Sequence, residues 1–295
     1  MPLRLGINPI TWSNDDMPEL GGATPLEVCL SEARVAGFEG IELGNKFPRE
    51  SARLRPILQQ HGLALVSGWY SARLRERTVE EEARAIAPHL ALLREMDCEV
   101  VVFAETSGAV AGARGTPLSK RPRLAEAEWT EFARHLTALA DGLVAQGLRM
   151  AYHHHMGTVV ETAEEIDHLM AMTGESVGLL LDTGHLAYAG ADPADVARRH
   201  IDRLVHVHCK DVRPGVLKAM RAADRSFLDA VVEGVFTVPG DGGVDFPKVL
   251  SVLKAGNYRG WLVVEAEQDP AKAHPLTYAR MGHNYLSRAA RAAGL

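Results

Sequence analysis

The segment TAEEIDHLMAMTGESVGLLLDTGH (162–185) contains one complete unit of the pattern that decides the fold. Residues 162–173 carry apolar side chains at helical spacing and stop at Gly174. The apolar run Val177–Asp182 follows, and such a run predicts a short strand that is covered on both faces. That strand ends at an acidic residue, and His185 follows it closely. The segment therefore predicts a helix, a buried strand and a polar strand tip in succession.

The same alternation of strands and helices runs along the whole chain. Predicted strands cover Leu3–Ile10, Phe38–Leu43, Leu63–Trp69, Glu99–Ala104, Leu148–His153, Val177–Asp182, Leu204–Cys209 and Trp261–Glu265. Predicted helices cover Pro25–Ala36, Thr78–Met96, Ala125–Gln146, Thr162–Thr173 and about Pro270–Ala293. Alternation of this kind implies a parallel sheet with helices outside it.

Eight such units in 295 residues predict an α/β fold, a parallel (β/α)8 TIM barrel. We expect residues 1–295 to form a single domain of this kind. A doubly wound open sheet is the competing architecture, but it usually carries a glycine-rich phosphate loop after an early strand. This sequence has no such loop, so the barrel is the better interpretation.

One segment, between Asp211 and Asp245, interrupts the alternation after the seventh strand. Two short helices are predicted within it, Pro214–Ala223 and Ser226–Glu233, followed by the loop VFTVPGDGG (235–243). In a barrel, this segment follows the strand end at which chemistry occurs. We therefore expect the insertion 212–244 to act as a lid or as a subunit contact.

Composition excludes several classes of protein. Hydrophobic residues make up 46% of the chain, and the formal net charge of −6 opposes a nucleic-acid partner. The sequence contains neither an apolar run long enough to span a membrane nor a signal-peptide pattern. Cys29, Cys98 and Cys209 form no CxxC pair, which argues against a disulfide framework. We expect a cytoplasmic protein.

The strongest functional signal is the position of the ionisable residues. Apolar strands end in polar tips at Glu42, Glu105, His153, Asp182, His208, Lys210, Glu265 and Glu267. The carboxyl ends of the strands of a barrel meet at one mouth, so these side chains are expected to converge there.

Side chains alternate along a strand, which sorts these residues further. His153, Asp182, His208 and Glu265 can point at one centre from four different strands. A single histidine at a strand end is more often structural, but four strands that end in the same way favour a shared site. Two imidazoles and two carboxylates suit a divalent metal of intermediate hardness.

Four motifs carry a family resemblance: AYHHHMGT (151–158), LLDTGH (180–185), HVHCKDVRP (206–214) and GWLVVEAEQDP (260–270). With these motifs the chain resembles the xylose-isomerase-like barrel superfamily of sugar isomerases, epimerases and dehydratases. The likeness covers nearly the whole chain, and it is strongest to the dehydratases that act on a keto-inositol in inositol catabolism. The resemblance implies a divalent-metal enzyme, with Mn²⁺ or Co²⁺ as the usual ion.

The resemblance also implies roles for individual residues. In the superfamily the acidic residue of strand six, the histidine of strand seven and the glutamate of strand eight bind the metal, which correspond to Asp182, His208 and Glu265. The fourth ligand is commonly a glutamate at the tip of strand five. Here that position holds His153, a departure that leaves the fourth ligand open, with His155 and Glu105 as alternatives.

The hypothesis that follows is the removal of water from a cyclic polyol ketone to give a 1,2-dione. We expect His185 to be the base that removes the α proton, with His155 as the alternative. His155, Glu105 and Lys210 are candidates for the acid that assists loss of the hydroxyl. A further set is expected to line the ring pocket: Trp12, Glu42, Trp69 and Glu267. Lys210 could instead pair with Asp211 or another carboxylate.

Two alternatives stay open on the same barrel. A metal-dependent keto-sugar or keto-inositol isomerase shares the first proton transfer and differs in the fate of the enediol. A non-catalytic sugar-binding protein would not need metal-binding tips on four strands. In either case we expect a small-molecule partner, no nucleic acid, no membrane, and association into a homodimer or homotetramer.

Overall fold

Eight parallel strands close into a ring in the computed structural model, which describes residues 3–295. Ten strands are described: β1 (Arg4–Ile7), β2 (Gly40–Leu43), β3 (Ala64–Ala72), β4 (Val100–Glu105), β5 (Arg149–His153), β6 (Val177–Asp182), β7 (Leu204–Cys209), β8 (Asp211–Val212), β9 (Phe236–Thr237) and β10 (Trp261–Val264). Of these, β8 and β9 form a separate two-stranded sheet. The ring runs β1-β10-β7-β6-β5-β4-β3-β2, and β1 pairs with β10 to close it. The predicted TIM barrel is confirmed; residues 1 and 2 lie outside the described residues.

Helices surround the barrel. They are α1 (Leu26–Ala36), α2 (Ser51–His61), α3 (Val79–Glu95), α4 (Glu126–Val144), α5 (Ala163–Met172), α6 (Thr183–Ala189), α7 (Pro193–Arg199), α8 (Pro214–Ala222), α9 (Phe227–Val232), α10 (Phe246–Ala255) and α11 (Pro275–Ala292). Capping boxes begin α3 at Thr78 and α5 at Thr162, where each threonine accepts the amide three residues on. Gly37 ends α1 with a φ of 109°, a conformation that favours glycine.

Several predicted boundaries were wrong for local reasons. The first strand stops at Ile7 rather than Ile10, because the Asn8 side chain accepts the Ile10 amide and starts a 3₁₀ turn at Pro9. The last helix begins at Pro275, since the carbonyl of Asp269 holds the preceding residues in a turn. Four further helices, α2, α6, α7 and α10, were not among the predicted elements.

The apolar residues form two layers. The large cluster lies between the strands and the outer helices. Smaller clusters combine strand residues of alternating position, such as Val102, Ala151 and Leu180, or Val66 and Val263. Because side chains alternate along a strand, Ala151, Leu180 and Val263 share a face with the polar tips that follow two positions on, His153, Asp182 and Glu265. Apolar packing thus fills the lower barrel and places polar groups at its mouth.

The insertion after β7 forms a small subdomain over that mouth. β8 and β9 pair in antiparallel fashion, and α8 and α9 lie between them in the chain. Phe227, Phe236 and Val231 are fully buried in a separate apolar cluster that also contains Met156 and Tyr188. The insertion is therefore packed onto the barrel, which fits the predicted position; its role as a lid or subunit contact stays a prediction.

Among residues 3–295, no helix combines the length and apolar character that crossing a bilayer requires.

Truncating a core side chain of α4 tests this packing. Leu136 is fully buried, so Leu136→Ala should lower the free energy of unfolding by about 2–5 kcal/mol through lost apolar burial and a cavity. Val144, in the same helix, is 49% exposed, and Val144→Ala should leave stability unchanged within about 0.5 kcal/mol. Urea unfolding followed by circular dichroism measures both. Equal effects of the two substitutions would contradict the assigned burial.

Candidate metal centre and active site

Four strand tips bring His153, Asp182, His208 and Glu265 to one centre. One ligand atom from each lies within 4.8 Å of the others. Oδ2 of Asp182 is 3.6 Å from Nε2 of His153 and 3.6 Å from Nδ1 of His208. The same Nδ1 is 2.5 Å from Oε2 of Glu265. The structure thus brings together the four residues that the sequence analysis selected.

The local backbone explains the position of Asp182. It ends β6 and is the N-cap of α6, where its Oδ1 accepts the His185 amide at 2.8 Å. The Thr183 hydroxyl donates to the Lys210 carbonyl and accepts the Lys210 amide, which ties the tips of β6 and β7 together. Oδ2 of Asp182 is left to face the shared centre.

The donor set fits a divalent cation. Nε2 of His153, Oδ2 of Asp182 and Nδ1 of His208 are buried, and none has a hydrogen-bond partner of good geometry among the described residues. Buried polar atoms without partners are costly, so three that face one point indicate a ligand. Nδ1 of His153 contacts the His154 carbonyl at 2.6 Å and must donate to it, which leaves Nε2 as the acceptor at the centre.

Lys210 is a fully buried ammonium beside this centre. Its Nζ lies 2.8 Å from Glu265, 2.5 Å from Glu267 and 3.6 Å from Asp182. Burial opposes the charged form, yet these carboxylates raise the lysine pKa above its usual value. Gly184 packs against the alkyl chain of Lys210, since a Cβ there would lie 2.5 Å from its Cγ.

The pKa values of Glu265 and Glu267 are shifted in opposite directions. Burial raises the pKa of Glu267 to about 7, against the lowering effect of Lys210. Burial also opposes ionisation of Glu265, but His208 and Lys210 outweigh it and lower the pKa of Glu265 to about 2. Asp211 takes no part in this network, because its oxygens accept the backbone amides of Val212, Gly240, Gly242 and Val244. Lys210 was predicted to pair with Asp211 or with another carboxylate. In the structure it pairs with other carboxylates and not with Asp211.

His155 and His185 form a second pair beside the centre. Their ring centroids are 4.0 Å apart, and Nε2 of His185 lies 3.1 Å from Nζ of Lys210. Burial, with neighbouring positive charge, lowers the pKa of His155 to about 3 and that of His185 well below its usual value. Phe227 packs on both rings with centroid distances of 5.0 and 5.6 Å. Phe236 covers His185 and Lys210.

A cavity of about 440 Å³ opens above these residues. Its walls include His155, Glu265, Glu267 and Trp69. Trp69 is 40% exposed and packs edge-on against His153 and His155, with its indole N–H donated to Ser71. His185 is fully buried and lies behind His155. The structure therefore places His155 on the cavity wall, whereas the sequence analysis favoured His185.

Three predicted site residues lie elsewhere. Trp12 is fully buried in the large apolar cluster and donates its indole N–H to Glu32, so it does not line the pocket. Glu105 accepts the backbone amides of Leu74 and Ser107 with its two oxygens, which makes it a loop support rather than a ligand or acid. Glu42 lies below the cavity and contacts His208 instead of the pocket.

Several polar residues at the cavity rim were not predicted from the sequence. They are Asn8, Asp15, Asp16, Asn45, Arg49, Ser71, Thr106 and Thr158. Asn8 follows β1 directly and so occupies a strand tip, a signal that the search for ionisable tips passed over. Thr106 likewise follows β4, and Ser71 belongs to β3 beyond the predicted strand end at Trp69. The remaining residues lie on loops, where strand alternation makes no prediction. Phe227 and Phe236 were also missed, because an apolar residue in an insertion carries no signal of contact with a histidine.

Comparison with known proteins agrees with this geometry. A model of the xylose isomerase-like TIM barrel family matches residues 30–289. The chain is 60% identical over its 295 residues to the rhizopine catabolism protein MocC of Rhizobium meliloti, 90% of which is covered. It is 48% identical over 286 residues to the inosose dehydratase of Geobacillus thermodenitrificans, which spans 96% of both chains.

A solved structure shows the same fold. The IOLI protein with a binding zinc atom superposes with a TM-score of 0.66 at 16% identity, over 99% of this chain and 98% of that one. The sequence-based resemblance, the closed barrel and these relatives agree. The chain therefore belongs to the xylose isomerase-like TIM barrel family.

Proposed function

We propose that this chain is an inosose dehydratase, a hydro-lyase that removes water from a keto-inositol. The observation that carries the proposal is the shared centre of His153, Asp182, His208 and Glu265 below a cavity of about 440 Å³. The 48% identity to an inosose dehydratase across 96% of both chains supports the same reaction. The substrate is then a cyclic polyol ketone, and 2-keto-myo-inositol is the first candidate.

A second candidate is a step in rhizopine catabolism. It is favoured by the 60% identity to the rhizopine catabolism protein of Rhizobium meliloti. Both candidates use the same centre and cavity, so they differ in substrate rather than in machinery.

The four residues of the shared centre are proposed to hold a divalent cation, with Mn²⁺ or Co²⁺ preferred. When bound, such an ion supplies Lewis-acid stabilisation of negative charge on a substrate ketone oxygen. Asp182 and Glu265 supply the negative charge that the cation needs, and the burial of all four residues keeps water from competing. His153 takes the place of the glutamate usual in the superfamily.

Proton transfer is assigned to residues that reach the cavity. His155, whose pKa lies at about 3, is neutral at neutral pH and can accept the α proton of the substrate. His185 supports the ring of His155 from behind. Glu267, with its pKa near 7, is partly protonated at neutral pH, and in that form it can give its proton to the departing hydroxyl, which then leaves as water. The enol that remains tautomerises to the 1,2-dione.

Lys210 is assigned a supporting role. Its fully buried Nζ contacts Glu265, Glu267 and Asp182, so it offsets the negative charge gathered at the centre. It is not among the residues of the cavity wall. Cytoplasmic location and association into a dimer or tetramer through the insertion stay predictions.

The decisive experiment is incubation of the protein with 2-keto-myo-inositol and Mn²⁺ or Co²⁺, followed by mass spectrometry. We expect a product lighter than the substrate by one water. A product of unchanged mass would point to an isomerase, and absence of both turnover and bound metal would point to a sugar-binding protein. Turnover of a rhizopine but not of the keto-inositol would favour the second candidate.

Removing the charge of Asp182 should abolish metal retention. Asp182→Asn keeps the Oδ1 cap of α6 and is expected to bind metal at least about tenfold more weakly, with loss of turnover. Asp192→Asn is the matched control, because Asp192 caps α7 through the Ala194 amide. Metal content by plasma mass spectrometry distinguishes the two. Normal metal content in Asp182→Asn would remove this residue from the ligand set.

The histidine pair should serve catalysis and not metal binding. His155→Gln is expected to lower kcat by about 10²–10⁴ while metal content stays normal, because a proton acceptor is lost. His185→Ala should lose turnover in the same way. His135→Ala, on the outer helix α4, serves as the control with unchanged kcat. Full activity in both His155→Gln and His185→Ala would exclude the pair from proton transfer.

A further inference from the structure

Glu42 is a buried carboxylate at which four side chains meet. Its Oε1 accepts from Nε2 of His206 at 2.9 Å, from Nε2 of His208 at 3.1 Å and from the Ser67 hydroxyl at 2.6 Å. Its Oε2 accepts from Nδ2 of Asn8 at 2.7 Å. Glu42 is only 3% exposed, so its charge is compensated entirely by these donors.

The donors come from separate parts of the barrel. Asn8 follows β1, Ser67 belongs to β3, and His206 and His208 belong to β7. Because the carboxylate is held from three sides, its position is defined independently of His208. Glu42 can therefore orient the His208 ring rather than follow it.

The contact also determines which nitrogen of His208 carries a proton. An ionised carboxylate only accepts hydrogen bonds, so Nε2 of His208 must donate to Glu42. In a neutral imidazole the lone pair is then on Nδ1. This Nδ1 is the atom that faces Asp182 and Glu265 at the shared centre.

We propose that Glu42 is a positioning residue for the metal centre, which orients His208 and keeps its proton on Nε2 so that Nδ1 binds the cation. The inference rests on the metal site proposed above. A carboxylate behind a ligating histidine fixes the orientation of the ring and raises its basicity as a ligand. Glu42 was predicted to contact the substrate. In this proposal it contacts the metal ligand His208 instead.

The arrangement allows one competing assignment. Glu42, His206 and His208 could themselves hold a second ion, since one atom from each lies within 4.8 Å of the others. Nε2 of His208 would then have to lose its proton, as would Nε2 of His206. The stoichiometry of bound metal separates the two assignments.

Glu42→Gln tests the proposal through metal binding. It removes the charge and keeps the shape, so we expect Co²⁺ affinity to fall about 10- to 100-fold in a chelator competition. We also expect the visible absorption of bound Co²⁺ to shift, because the ligand strength of His208 changes. Glu82→Gln is the matched control. Glu82 is also buried, but it accepts from the Tyr70 hydroxyl and the Arg73 backbone amide, neither of which belongs to the metal centre. Its Co²⁺ affinity and spectrum should match those of the unaltered protein.

The outcomes separate this inference from the proposed function. If the unaltered protein binds no Co²⁺, the proposed function fails at its metal site. If it binds one ion and Glu42→Gln binds equally well with the same spectrum, only the positioning role is overturned. Two ions per chain would overturn it as well, since Glu42 would then be a ligand. Should Glu42→Gln fail to fold by circular dichroism, Ser67→Ala decides, with an expected loss of affinity below about tenfold and unchanged affinity as the contrary result.

Discussion

The site depends on how negative charge is balanced in a barrel mouth that excludes most water. Asp182, Glu265 and Glu267 all lie within reach of the Lys210 ammonium. Carboxylates so close together repel one another strongly at low dielectric, and each must be neutralised or protonated. Glu265 stays charged with a pKa near 2, whereas Glu267 is held near 7. The same balance of charge therefore leaves Glu265 ionised and lets Glu267 take up a proton near neutral pH.

The barrel strands position the polar side chains of the site, and the insertion provides the apolar surroundings of two of its histidines. Strand ends bring the ligands together, because parallel strands present their carboxyl ends at one mouth. The insertion then places Phe227 and Phe236 against His155 and His185. Rings packed on an imidazole limit its hydration and favour its neutral form. The packing of the insertion onto the barrel and the burial of this histidine pair thus depend on the same contacts.

The convergence of the four strand tips could be predicted from the sequence, because it follows from strand position alone. An apolar strand that ends in Asp182 or His153 can point its tip only at the barrel mouth. The same signal was misleading at Glu105 and Glu42. Each also follows an apolar run, yet the first accepts backbone amides and the second accepts from His206 and His208. Which donors meet a carboxylate depends on distant strands and loops, so alternation along one strand does not determine it.

The glycine of the DTGH motif shows how closely the layers of the site are packed. Gly184 has no side chain, and the methylene groups of Lys210 occupy the space where a Cβ would be. A methyl group at that position would collide with the alkyl chain of Lys210. The collision would displace the ammonium without changing any charge. The smallest residue in the motif thereby determines where the Lys210 ammonium is held, through the space that its missing side chain leaves.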